Sequence, residues 1–461
     1  MKINHLFAVL IVLSLLPCAS ISRATDILAT GSGNWSSTVP DAPWPGGIVP
    51  STNDDVDVEA PYTITVDTTN AVIQYIYGSG TVTMAPGSRL MVVGDLAGAY
   101  GTQQLQTLNA TATGNTVIYS GNIFWAKRTD YYNLVFTNAT TNSYDFYNGI
   151  IPGYGAVAMT VAGDMTMSGK IKVQQGADFS INGNLYLGTN STWDASSFYV
   201  TVAGNTMVDG LLLDLDGALG SNYFGGNVTV SASAIGWNVS DVVHWGIGGS
   251  LTNNGTIVGK GYGSISFDGT GFIAGSKSIK IPTMTVNGTY TIGTTITLIT
   301  NTPTLNGTLV FDLVRTNQIV LLTNAGTALY YSGTLNVINS GAPPASGAHY
   351  QLFNSANGYD GAFAATSFPG LPGGLSWVDN TLTTGSLDVI GAAGPPTLYL
   401  SRNAGNLTLS WDSATYTGYS VVARTNGLVG TWFSTGSGTV SPFVVPLNPA
   451  NQSVFYRLYK P

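Results

Sequence analysis

Between Val161 and Leu309 a short turn signature returns at a nearly constant interval, separating apolar, β-branched runs that are too short for helices. Gly163-Asp164, Gly183-Asn184, Gly204-Asn205, Gly226-Asn227, Gly249-Ser250, Gly269-Thr270, Gly288-Thr289 and Gly307-Thr308 recur at intervals of 20, 21, 22, 23, 20, 19 and 19 residues. A drifting period of this size, with no helical spacing between the beats, predicts stacked β-coils, one per beat, each burying its apolar side against its neighbours. Strings such as Asp178-Phe179-Ser180-Ile181 and Thr229-Val230-Ser231 alternate polar with apolar, as half-buried strands do. The expected fold is all-β: a right-handed parallel β-helix (solenoid) with capping modules plus a small C-terminal β-sandwich. Coils stack at strand spacing, so about eleven of them between Gly94 and Gly333 would make a rod roughly 50 to 55 Å long.

Composition agrees with strands. Charged residues are 8% of the chain, and among 23 acidic residues only Glu59 is a glutamate; helix-favouring Glu and Lys are scarce beside abundant Thr, Val and Gly. The first 24 residues read as a secretory signal: Lys2, an apolar run from Leu6 to Leu16, and Ser22-Arg23-Ala24 as the cleavage site. Pro17 before Cys18 argues against lipidation, and no second apolar run is long enough to span a bilayer. Cys18 is the only cysteine and falls within the signal, so stability must come from packing and ladder hydrogen bonds. Without Lys2 and Arg23 the mature chain holds 13 basic against 23 acidic residues and no basic cluster, which disfavours nucleic acid as a partner. The expected location is secreted, extracellular or cell-surface.

Residues 25–98 read as an N-terminal cap and first coils. Gly33-Asn34-Trp35-Ser36-Ser37, Trp44-Pro45-Gly46-Gly47, Pro50, the strand Asp55-Val56-Asp57-Val58-Glu59, Tyr62 to Asp67 and Ile73 to Gly80 follow in order. This order resembles the opening coils of secreted bacterial β-helix proteins and looks like a diverged eight-glycine domain of extracellular proteins. Residues 99–308 are the solenoid proper, with aromatic-rich, decorated coils at 99–154. Residues 309–390, with Tyr350-Gln351-Leu352-Phe353-Asn354, Leu371-Pro372-Gly373-Gly374-Leu375-Ser376-Trp377 and Gly385 to Val389, look like the closing segment of autotransporter-like proteins with β-strand repeats. That resemblance implies a C-terminal solenoid cap and no chemistry. Residues 391–396 are a Gly/Ala/Pro linker, and 397–461 hold five or six short strands in a pattern similar to fibronectin type III β-sandwiches. Relatives of such modules serve secretion or surface attachment.

Four constellations bear on chemistry. Asp54, Asp55, Asp57 and Glu59 offer oxygen ligands for a calcium ion pinning the cap; the spacing favours a solvated face over buried valines, since calcium-loop glycines are missing. Asp214 and Asp216 lie two residues apart, about 7 Å, within the separation of an inverting glycosidase's carboxyls, but nothing raises the pKa of one of them. His244 and His349 belong to no metal-spaced cluster; a Ser/His/Asp triad stays open on spacing, although no Gly-x-Ser-x-Gly elbow is present. The aromatics from Phe124 to Tyr147 are the best binding candidate: Trp125, Tyr131 and Tyr132 offer rings for sugar faces, and Lys127, Arg128 and Asp130 offer polar contacts. Packing beneath a decorated turn is the alternative for these rings.

The expected function is a structural and adhesive surface protein without catalytic residues, its partner an extracellular glycan or a surface protein. The competing reading is a polysaccharide-binding or polysaccharide-degrading β-helix, a lyase or glycosidase. Recognition is expected where the beat fails, between Tyr100 and Tyr154 or beyond Pro396.

Overall fold

A computed structural model describes residues 25–94, 105–120, 126–127, 129–138, 144–147, 158–174, 177–195, 198–213, 221–240, 243–314, 320–322, 328–372, 374–391, 396–413, 416–425, 429–436, 440–451 and 453–460. Residues 1–24, read above as a signal, and Asp214, Asp216, Trp125 and Arg128 lie outside the described residues. The chain divides into two units, one reaching Ile338 and including Leu352–Phe368, the other made of Asn339–Gln351 and Pro369–Pro461.

The first unit is a parallel β-solenoid of about ten turns. Each regular coil contributes three short strands, such as Phe179–Ile181, Leu185–Leu187 and Thr192–Asp194, and the next coil repeats them as Val200–Val202, Thr206–Val208 and Leu211–Leu213. Register is residue for residue and parallel, Phe179 on Val200 and Leu185 on Thr206. With a side-chain period of two, three-residue strands point their first and last residues inward, which is the buried–exposed–buried pattern of Val200–Val202. Stacked parallel coils therefore build continuous apolar columns. Phe224, Trp237 and Trp245 interlock inside them, the Phe224 and Trp245 rings stacked at 5.0 Å and Trp237 edge-on at 5.7 and 5.4 Å. Further along, Ile279–Val286 and Leu298–Leu305 each run as eight-residue strands across two sides that earlier coils keep separate.

The glycine beat forms one corner of the coil, between its first and second strands. At that corner each carboxamide or carboxylate oxygen accepts the backbone N–H of the residue one coil later. Asp164 N–H donates to Asn133 Oδ1 (2.9 Å), Asn184 N–H to Asp164 Oδ1 (2.7 Å) and Asn205 N–H to Asn184 Oδ1 (2.9 Å). Asn227 N–H donates to Asn205 Oδ1 (2.9 Å), Ser250 N–H to Asn227 Oδ1 (2.8 Å) and Phe272 N–H to Ser250 Oγ (3.0 Å). Glycine is required beside this ladder by close approach: a Cβ at Gly204 would stand 2.4 Å from the Gly183 carbonyl oxygen. From Gly269 onward the wiring changes. Thr289, Thr308 and Thr334 donate their N–H groups to the carbonyls of Gly269, Gly288 and Gly307, each at 2.8 Å, and the side-chain bonds move to the residue before glycine. There Asn287 donates to Asp268 (2.8 Å) and Asn306 to Asn287 (3.0 Å).

The opening motif has a packing role. Trp35 and Trp44 are fully buried, edge-to-face at 5.2 Å, and the Trp44 indole N–H donates to the Trp35 carbonyl at 2.7 Å. Parallel pairing in the solenoid persists to Ala365–Ser367. In the second unit pairing turns antiparallel: His349–Gln351, Ser386–Gly391 and Leu375–Asn380 form one sheet. Beyond the linker, Tyr399–Asn403, Asn406–Ser410 and Phe443–Pro446 form a second, and Phe433–Ser434, Ser420–Thr425 and Val454–Tyr459 a third. The last two share a small core of Leu409, Trp411 and Val421.

The corner generates two expectations for urea unfolding followed by tryptophan fluorescence. Asn205→Ala removes one acceptor at an exposed turn and should cost about 0.5 to 1.5 kcal/mol. Gly204→Ala drives a methyl into a backbone oxygen and should cost more, about 1 to 3 kcal/mol; a neutral Gly204→Ala would contradict the close-approach account.

Candidate functional site

Among the described residues of the region predicted to bind, Tyr131 is wired inward. Tyr131 is fully buried and bridges Ala110 and Val161 of the neighbouring coils. The Lys127 N–H donates to Tyr119 Oη (3.1 Å), the Tyr119 and Tyr131 hydroxyls pair at 2.9 Å, and the Tyr131 hydroxyl returns to the Lys127 carbonyl, closing a ring of hydrogen bonds. The Tyr119 ring stacks on Phe136 at 5.8 Å and meets Tyr131 edge-on at 6.4 Å. Burial pushes the pKa of both phenols up. Tyr131 therefore packs under the turn and has no free face for a sugar. Burial also lowers the pKa of the half-buried Lys127 ammonium. Asp130 is exposed, yet its Oδ1 is engaged by the Thr160 N–H at 2.8 Å. Tyr132 is half-buried; its N–H donates to the Ala110 carbonyl at 2.7 Å and its ring lies beside Gly163.

The acidic strand stands in a three-stranded sheet of Thr25–Leu28, Asp54–Asp57 and Tyr75–Tyr77. Parallel register sets Asp26 against Asp55 and Asp55 against Tyr75, so two like charges face each other across one rung. Burial first, then Asp26 and Asp54, push the Asp55 carboxyl up to about 6. Burial first, then Glu59 and Asp26, raise Asp57 as well. Tyr77, whose hydroxyl lies 3.3 Å from Asp26 Oδ1, is pushed up to about 12 by burial and then by the surrounding carboxylates. The four predicted calcium ligands do not converge. Asp54 accepts the Ser51 N–H (2.8 Å) and hydroxyl (2.7 Å), and Glu59 accepts the Ser79 hydroxyl, while Asp55 and Asp57 share the strand face. Among the described residues no group of three or more His, Cys, Asp or Glu is placed to hold a metal ion.

One polar cluster was not foreseen. His244 Nδ1 lies 2.9 Å from Ser264 Oγ and its Nε2 lies 3.0 Å from Ser266 Oγ, whose hydroxyl donates to Asp268 Oδ2 at 2.6 Å. The residue types are those of a hydrolase triad, but the order is not. A triad places histidine between carboxylate and serine, so that imidazole takes the serine proton. Here serine is in the middle, its hydroxyl hydrogen-bonded to Asp268, and Ser266 is only 2% exposed. The arrangement locks coil to coil and leaves no primed nucleophile. Its signal was present in the sequence: Ser264, Ser266 and Asp268 alternate with apolar residues one period after His244. His349 pairs instead with Asp388 at 2.6 Å across antiparallel strands, and that bond, with Asn380, holds the Asp388 carboxyl below its usual range.

The acidic rung sets a pH dependence. Carboxyls raised in the folded state bind protons more tightly there than in the unfolded chain, so their effect is to stabilise as pH falls through about 6 toward 3.8. The lowered Asp388 acts oppositely, but only near and below 3.8. Thermal unfolding midpoints should therefore rise between about pH 7.5 and pH 5. Asp55→Asn with Asp57→Asn should raise the midpoint at the higher pH and flatten the profile; an unchanged slope would contradict the assignment. No family model, curated protein or solved structure matches this chain.

Proposed function

We propose that the chain is exported and acts outside the cytoplasm or at the cell surface as a structural and adhesive scaffold. The observation that carries this reading is the corner ladder, in which the polar side chains of the repeat are committed to holding coil against coil. Outward strand positions such as Thr160, Thr166, Ser180, Thr229 and Thr252 carry hydroxyls, which hold no charge and activate nothing by themselves. The His244 cluster, with serine between histidine and aspartate, supports the same reading, since its wiring is unsuited to nucleophilic attack. Among the described residues no helix is long and apolar enough to cross a membrane. In this reading the coils act by display: a stack without disulfides carries the recognition elements outside the cell. On the same reading the segment ending at Ala24 directs export and is then removed.

The test is expression of the full chain in a Gram-negative host, with mass spectrometry of the polypeptide in each fraction. The expected product has Thr25 as its first residue and is found outside the cytoplasm. A chain that keeps Met1 and stays in the cytoplasm would overturn the proposal.

A further inference from the structure

The module after the linker differs in charge from everything before it. Residues 397–461 hold Arg402, Arg424, Arg457 and Lys460 against one acid, Asp412, in a chain that is acidic elsewhere. Two of these cations are built into a stack. Strand register sets Arg424 opposite Phe455, Val422 opposite Arg457 and Ser420 opposite Tyr459, which puts both arginines and both rings on one face of the sheet. The opposite face turns Val421, Tyr456 and Leu458 to the core. The guanidinium carbons of Arg424 and Arg457 lie 4.7 and 4.4 Å from the centre of the Trp432 ring, 5.9 Å from Phe455 and 5.7 Å from Tyr459 respectively. Neither guanidinium is paired with a carboxylate among the described residues; Arg424 is half-buried, its Nε buried without a partner and its Nη1 donating to the Gly430 carbonyl at 3.4 Å, while Arg457 and Tyr459 are exposed.

We infer that this arginine–tryptophan face binds an acidic, uronate-bearing polysaccharide. A guanidinium held over an aromatic ring by cation–π attraction loses less rotamer freedom on binding, and the exposed Arg457 keeps N–H groups for acceptors. Planar carboxylates match that fork two bonds at a time. The exposed Tyr459 ring offers an apolar surface for the C–H face of a sugar. Guanidiniums cover Trp432, so nucleobases lack the open ring they stack on. The acidic remainder of the chain repels the same polymer, which favours contact through this module. This inference deepens the adhesive reading above and rests on it, but binding by the purified protein is measured independently of where the cell sends it.

The experiment is biolayer interferometry of the full mature chain on immobilised polygalacturonate, dextran and poly-L-glutamate at about 0.05 M salt, where exposed charges are weakly screened. Polygalacturonate should bind at least about tenfold tighter than either other polymer, and Arg424→Gln with Arg457→Gln should lose about tenfold or more. Arg402→Gln, on the other sheet, should leave binding unchanged. If the double variant does not fold, Arg457→Gln alone, at the exposed position, carries the test. Equal binding to dextran or poly-L-glutamate, or binding indifferent to the arginine changes, would overturn the inference. So would self-association of the chain that the double variant abolishes in the absence of polygalacturonate binding, which would give the face to a second copy.

Discussion

Everything in the solenoid depends on how closely one coil can approach the next at a single corner. Strands of three residues supply few ladder bonds each, and a sharp bend between two of them would leave backbone N–H groups facing water. The corner residue, Asn133 after Tyr132 and then the residue after each glycine from Asp164 to Asn227, resolves this by lending its side-chain oxygen to the N–H one coil on. Only glycine fits beneath, because backbone oxygens of the previous coil occupy the space of a Cβ at Gly183, Gly204 and Gly226. The corner thus couples a steric requirement to a hydrogen-bonding one, and the apolar columns inside are held in register by both.

The same corner explains a change in sequence that has no meaning in composition alone. After Gly249 the residue following the beat glycine is threonine, and the polar partner moves to the position before it, as Asp268, Asn287, Asn306 and Ser332. The backbone now donates to the preceding glycine's carbonyl, while Asn287 and Asn306 bond side chain to side chain. Two dipeptide orders, Gly-Asn and Asn-Gly, therefore solve one problem by different hydrogen-bond routes. Committing these polar groups to the stack leaves the corner side chains of the regular coils engaged with the neighbouring coil.

Much of the fold was legible because the period of the glycines reports coil length directly and strand alternation reports which residues face in. The side-chain role of Asn184, Asn205 and Asn227 was not, since turn propensity accounts for asparagine equally well. Tyr131 shows the limit for binding residues: an aromatic in an irregular segment reads the same whether it stacks on a ligand or closes a hydrogen-bond ring with Tyr119 and Lys127. For the acidic strand, alternation correctly placed Asp55 and Asp57 together. It could not reveal that Asp26, nearly thirty residues earlier, would lie against Asp55 while Asp54 and Glu59 turned to nearby serines. The arginine stack was missed for a related reason, because Arg424, Trp432 and Arg457 become neighbours only through antiparallel pairing of distant strands.

The central claim, that side-chain oxygens at the corner hold one coil to the next, is tested most directly by amide hydrogen exchange. Asn184, Asn205 and Asn227 are exposed residues in turns. If their N–H groups are held by the preceding coil, they should exchange as slowly as the adjacent buried strand residues Leu185, Thr206 and Val228. Exchange at the rate of free turn amides, with the strands still protected, would contradict the account.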